Sequence, residues 1–163
     1  MTTQAASFIK LVQSRFKFGL YLFYKLPAAF LAGVRVREMS EDRAVVSIPF
    51  KWLTQNPFRS TYFASLSMAA EMSTGVLALA QVHQRQPAVS MLVVNLEAAF
   101  FKKATGRSSF VCEDGALFQQ AVEETIKTGE SRTVRARSTG KNEAGETVAE
   151  FYITWSFKVR GTK

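Results

Sequence analysis

One cysteine, one histidine, four prolines and only 13 acids in 163 residues remove several function classes before any pattern is read. A lone Cys112 cannot form an internal disulfide, so the chain is expected in a reducing compartment, the cytoplasm. Cys112 lies in the strand-like "SSFVCED" with no companion thiol, which fits a small buried filler. A lone His83 rules out a site built on two histidines and any His-rich metal centre. His83 sits near a helix end, where an imidazolium complements the dipole. Gly-rich phosphate loops, Cys-pair zinc spacings and dinucleotide fingerprints are missing, so no metal or cofactor is implied. The apolar run "FGLYLFY" is bracketed by Lys17 and Lys25 and is too short to cross a bilayer. It is followed by no small-residue cleavage site of the usual kind.

What is present is an ordinary globular composition, 47% hydrophobic and 21% charged, with a heavy load of 14 Phe. The length suits one domain, 1–163, with a helical segment over residues 1–30. A net charge of +8 attracts anions: nucleic acid, an anionic membrane or a phosphorylated ligand. The chain has no Lys/Arg run and no interleaved aromatic–basic motif, so specific nucleic-acid recognition is not expected.

Residues 3–25 carry bases and aromatics at helical spacing and end before Pro27. This helix is expected to lie across the domain's own core; the alternative is an amphipathic helix resting on an anionic membrane. Two strands follow, 34–38 and 43–51, broken at "SED", then a long helix over 60–82. Residues 89–103 form a long strand, and "RSSFVCED" is expected to pair back on it after a turn at Gly106. "GALFQQAVEETIKTG" is a helix stopped by Gly129. A terminal hairpin turns at "NEAG" and offers Val134, Ala136, Phe151, Ile153, Trp155 and Phe157 to one face. Hairpin-joined strands imply an antiparallel sheet, and the mid-chain helix must cover one face of it: an α+β domain.

The long helix opens with "NPFRSTYFASLSMAAEMSTG" and carries a single acid, Glu71. Helical spacing puts Glu71 on a stripe with Ala64, Ser67, Met68, Gly75 and Ala78, small enough for another chain or an acyl group to approach. Glu71 is either an acid that works on a ligand or one that pairs with an arginine and holds an interface. Ser60 and Thr61 are expected to cap this helix.

These residues resemble the phenylacetate-pathway type of acyl-CoA thioesterase in the hotdog superfamily, whose pattern is N-x5-H-G-G-x6-[DE]. Asn56 and Glu71 fall on the Asn and acid positions, and "PAVSM" is similar to the family's P-G-V-S, placing Ser90 at the water-orienting serine. The chain is closer still to an uncharacterised thioesterase-like branch with a "YFA" helix start. The resemblance implies a hotdog fold, with a curved antiparallel sheet around a long central helix. It implies a homo-oligomer, a dimer or dimer of dimers, with sites at the subunit seam, and an acyl-CoA or other acyl thioester as partner. It assigns Glu71 as base or nucleophile, with Asn56 and Ser90 assisting. Tyr62, Phe63 and Ala64 stand where the family has His-Gly-Gly, which bears on how closely a thioester carbonyl approaches the helix start. Lys102, Lys103 and Arg107, or a second cluster of Arg132, Arg135 and Arg137, are candidates for the coenzyme's phosphates. The replaced motif and the Phe-rich interior also fit a non-catalytic acyl- or lipid-binding module.

Overall fold

The computed structural model describes residues 3–161. Three helices come first: α1 (Thr3–Gln13), α2 (Arg15–Lys25) and α3 (Pro27–Ala32). The single helix expected over 3–25 is broken at Ser14, whose extended backbone (ψ 100°) separates α1 from α2. The break lets each half bury its own face. Phe8, Ile9 and Val12 of α1 and Phe18 and Leu22 of α2 all turn inward. α2 stops before Pro27, which opens α3 at the position where a missing N–H costs nothing.

The strands are β1 (Arg35–Met39), β2 (Ala44–Ile48), β3 (Val89–Phe100), β4 (Ser108–Cys112), β5 (Arg132–Lys141) and β6 (Thr147–Val159). They form one antiparallel sheet in the order β1-β2-β4-β5-β6-β3. α4 (Phe63–Val82) is packed on all six strands, the hotdog arrangement that the resemblance implies. This 20-residue helix is apolar enough to span a bilayer but is mostly buried inside the protein. α5 (Gly115–Thr128) covers β5 and β6 beside α4 and ends at Gly129 in the left-handed region (φ 74°).

Two expectations are corrected. The β3–β4 hairpin does not form: β3 pairs with β6 at the sheet's edge, while β4 lies between β2 and β5. Residues 101–107 cross between these positions, held by Phe101 N–H donating to the Val148 carbonyl (2.9 Å) and by Thr61. Alternation shows that a segment is a strand, but not which neighbour it chooses. Second, Ser60 and Thr61 are not caps of α4, which begins at Phe63 with Tyr62 as its N-cap. The Thr61 backbone N–H and hydroxyl both donate to the Ala104 carbonyl, at 2.8 and 3.0 Å. Thr61 therefore ties the loop to the crossing segment, and the Ser60 hydroxyl donates to Asn56 Oδ1 inside the loop, so neither satisfies the helix end.

The terminal hairpin behaves as its alternation predicts: Val134, Ala136, Phe151, Ile153, Trp155 and Phe157 are all buried. Cys112 is also buried, and burial pushes its thiol up to about 12, so it is packing and not a nucleophile. Gly115, at the start of α5, lies against the β1–β2 turn. A Cβ there would stand 2.0 Å from the Glu41 carbonyl oxygen, a backbone atom that cannot swing aside. Gly115→Ala is expected to destabilise by about 3 kcal/mol, the upper end of overpacking costs, measured as a lowered denaturation midpoint at unchanged m-value.

Candidate functional site

α4 presents one half-exposed stripe, Ala64, Ser67, Met68, Glu71 and Gly75, to a face that its own sheet leaves open. Ala78, expected on that stripe, is fully buried instead, where the N-terminal helices cover the far end of α4. Glu71 opens into a slot of about 210 Å³, lined by Phe18, Tyr21 and Leu22 of α2, Gly75 of α4, Met91 of β3 and Trp155 of β6, among others.

The slot's walls fix the carboxyl's surroundings. Gly75 has no side chain, and a methyl there would lie 3.2 Å from both Glu71 Oε1 and Trp155 Cζ2. The gap left by the glycine is what lets the carboxyl and the indole edge come close. The indole is itself anchored: Trp155 Nε1–H donates to Thr74 Oγ1 (2.9 Å), whose hydroxyl donates to the Glu71 carbonyl (3.0 Å). Among the described residues the Glu71 carboxylate has no ion pair or hydrogen bond, so no arginine of its own copy holds it. Burial alone raises its proton affinity above that of an ordinary carboxyl.

A second, larger cleft of about 540 Å³ lies at the start of α4. It gathers Asn56, Tyr62, Phe63, Lys102 and Lys103 from the sequence-predicted set, together with Phe58, Phe100 and Phe101. Asn56 Oδ1 accepts from the Phe58 and Ser60 N–H groups (3.0 and 3.2 Å) and from the Ser60 hydroxyl (3.2 Å), which folds the loop back on itself. No partner holds Asn56 Nδ2 among the described residues. Tyr62 and Phe63 pack edge to face (4.8 Å between ring centres), and Phe63 leans on Phe100. Tyr62 is thus an aromatic wall in place of a histidine. The N–H groups of Phe63 and Ala64 have no helical acceptor and no capping side chain.

The remaining predicted residues fall elsewhere. Ser90 lies on β3, donates to the Lys158 carbonyl (3.0 Å) and lines neither cavity. Ala64 stands on the open stripe, outside the cleft. Arg107 does not join Lys102 and Lys103; its charge bears on Arg37 of β1. Lys102 is paired with Glu146. The second cluster is already neutralised: Arg132 pairs with Glu124 and Glu130, Arg135 with Glu97 and Arg137 with Glu150. His83 caps the end of α4 and packs its ring 5.2 Å from that of Phe8.

Sequence reasoning missed the part of α2 in the slot and the role of Trp155. The i, i+4 pair Phe18 and Leu22 marks the buried face of α2, but nothing in its spacing says which cavity that face closes.

The antiparallel sheet wrapped around α4 is the hotdog fold, and solved structures share it. A Pseudomonas aeruginosa protein described as a "Probable Thioesterase" superposes with a TM-score of 0.76 at 19% identity, covering 89% of this chain and 96% of that one. A Haemophilus influenzae thioesterase gives a TM-score of 0.66 at 12% identity, over 91% and 93% of the two chains. The Escherichia coli PaaI protein of the phenylacetic acid degradation operon gives 0.63 at 15%, over 93% and 98%. No curated protein is similar in sequence. The sequence profile of the domain of unknown function DUF4442 matches residues 17–157, and the chain belongs to that family.

The raised proton affinity of Glu71 has a consequence for stability. The folded protein holds the Glu71 proton to a higher pH than the unfolded chain does. Folding stability therefore falls as pH rises from the ordinary carboxyl range, about 4.3, through the raised value, and stays lowered above it. Glu71→Gln removes that penalty: its Tm is expected above wild type at pH 7, with the gap closing below about pH 4.

Proposed function

We propose that this protein hydrolyses acyl-CoA or a related acyl thioester, with Glu71 as general base or nucleophile, in a homo-oligomer whose second copy completes each site. The reading rests on one observation: a carboxylate without a partner among the described residues, held in an apolar slot beside an indole, in a chain with 21 bases. A cytoplasmic setting fits its single free thiol.

The chemistry needs donors for the oxyanion as well as a base. The unoccupied N–H groups of Phe63 and Ala64, at the positive end of α4, supply them. Eight residues separate Phe63 from Glu71, about 12 Å along the helix at 1.5 Å per residue, too far to serve one carbonyl carbon. Asn56 and Glu71 likewise line different cavities of the same copy. A second copy brings one copy's α4 start to the other's Glu71. The edge strand β3 offers the surface for this: its outer backbone edge carries no strand, and Leu92, Val94 and Leu96 are exposed along it. In the assembled site, Glu71 takes a proton from water as the water oxygen bonds the thioester carbon. The C–S bond then breaks, the thiol leaves protonated, and Lys103 beside the cleft faces the coenzyme's phosphates. As a nucleophile, Glu71 would instead form an anhydride that water reopens.

A panel of acyl-CoAs assayed with wild type and Glu71→Ala tests the role of the acid. A loss of about 100-fold or more in kcat is expected. The wild-type rate should rise with pH through a value above the ordinary carboxylate range, because only the deprotonated acid accepts a proton. Equal rates in the two proteins would remove Glu71 from the mechanism. The alternative, a non-catalytic acyl-binding module, is favoured by the Phe-rich cleft at the α4 start. It requires a retained acyl chain in native mass spectra and no turnover.

The shared site has its own test. Phe63→Pro deletes one donor N–H at a position where proline suits the helix start and Tyr62 already holds an extended backbone. Phe63→Pro and Glu71→Ala are each expected to be inactive. Mixed, they should regain about a quarter of wild-type activity, since half the dimers are hybrid and each hybrid has one intact site of two. No recovery on mixing would place both groups in the same copy.

A further inference from the structure

The outward face of α2 is not accounted for by the hydrolytic reading. At 100° per residue, Phe18 and Leu22 point inward, while Phe16, Leu20, Phe23 and Tyr24 form a ridge on the opposite side. The ridge is open, with Phe16 83% and Tyr24 71% exposed. It continues onto α3 through the edge-to-face contact of Phe23 with Phe30 (5.4 Å) and ends at exposed Leu31. Aromatic and aliphatic side chains this exposed and contiguous mark a surface that some apolar medium covers.

The charge around the ridge says which medium. The first 37 residues hold Lys10, Arg15, Lys17, Lys25, Arg35 and Arg37 and no acid; the first is Glu38. Lys17 flanks the ridge on one side. On the other side, a cleft of about 300 Å³ between α2 and β1 is lined by Arg15, Arg35 and Arg37 over an apolar floor of Val12, Phe18, Gly19, Leu22 and Val36. None of these arginines meets a carboxylate among the described residues, unlike Arg132, Arg135 and Arg137 across the sheet. Arg35 lies over the Phe30 ring and donates to the Phe30 and Val34 carbonyls, while Arg37 donates to the Ser47 hydroxyl (2.6 Å). Burial, with the nearby charges of Arg107, Arg15 and Arg35, holds Arg37 below its ordinary value, as crowding of like charge requires. An apolar ridge flanked by uncompensated bases matches the boundary of an anionic bilayer, where acyl chains meet phosphates. It does not match a second copy of the same face, which would bring Arg15, Lys17, Arg35 and Arg37 against their own copies.

We propose that α2 and α3 dock this protein on a membrane carrying anionic phospholipid. Phe16, Leu20, Phe23 and Tyr24 enter the headgroup–acyl boundary, and Arg15, Arg35 and Arg37 take lipid phosphates. The inner face of the same helix closes the Glu71 slot, so docking sets that slot beside a source of acyl chains.

Flotation of the full chain with vesicles tests this directly. Wild type is expected to float with vesicles rich in phosphatidylglycerol, to stay below with pure phosphatidylcholine, and to be released by high salt. Phe16→Ser with Tyr24→Ser, two exposed positions whose change leaves the fold intact by circular dichroism, should lower vesicle affinity about ten-fold or more. Lys17→Ala alone should lower it about five-fold. Glu71→Gln should float as wild type does, so docking and hydrolysis fail independently. The proposal is overturned if wild type does not float with anionic vesicles, or if the Phe16, Tyr24 double variant floats equally well. It is equally overturned if light scattering shows that the double variant forms a smaller assembly than wild type, which would make the ridge a contact between subunits.

Discussion

The structure depends on how closely α4 fits the sheet around it. A helix touched by six strands is packed closely, and Ala69, Ala70, Ser73, Thr74, Ala78 and Ala80 let the sheet approach between the larger anchors Leu66, Met72, Val76 and Leu77. Close packing alone leaves a smooth helix free to rotate, because alanines grip weakly. Two buried polar ties remove that freedom: Ser73 meets Ser138 of β5 hydroxyl to hydroxyl (2.8 Å), and Thr74 receives the Trp155 indole N–H of β6 (2.9 Å). A buried hydroxyl is costly unless bonded, so each tie has one satisfied rotation and many unsatisfied ones. With Ser73 and Thr74 fixed inward, the stripe that contains Glu71 is fixed outward. The position of the acid follows from the packing of its neighbours.

That logic explains what was legible in the sequence and what was not. The strands, the turns at "SED" and "NEAG", the Gly129 stop and the buried face of the terminal hairpin are set by neighbours close in the chain, where period and turn chemistry speak. Glu71 stood out because it interrupts a run of small neutral residues. Strand partners were not legible: β3 and β4 each read as strands, but their neighbours are set by long-range contacts such as those of Thr61 to Ala104 and Phe101 to Val148. The break at Ser14 was also hidden, because the helical period continues through it. The two-cavity layout was least accessible of all. It depends on Asn56 lying in the loop before α4 while Glu71 lies more than two turns inside the helix, which spacing in a one-dimensional pattern matches equally well to a site within one copy or between two.

The distribution of charge divides the surface into two chemistries. Arg132, Arg135, Arg137, Arg43 and Lys102 are each matched by a glutamate on an exposed face, pairs worth little individually but enough to cancel the local field. Much of the uncancelled charge is therefore found where the acids are not, in residues 1–37, which hold six bases and no acid. A sequence-wide excess of base says only that anions are attracted. The pairing pattern turns that excess into a direction, toward the face where the aromatic ridge of α2 is also exposed.

Against this background the isolation of Glu71 carries more weight than its burial. A buried acid in a strongly basic chain has an easy remedy: one arginine within reach would lower its proton affinity and recover the desolvation cost. Glutamates 97, 130 and 150 each meet an arginine, and Glu146 meets Lys102. Glu71 is instead surrounded by Met72, Val76, Leu79, Met91 and Trp155, with a glycine where any side chain would crowd it. Nothing in the packing of α4 needs a carboxylate there, since the two hydroxyl ties already fix the helix and an apolar side chain of similar length would fill the slot at lower cost. A group that weakens the fold, meets no partner among the described residues and faces open space is explained by what enters that space.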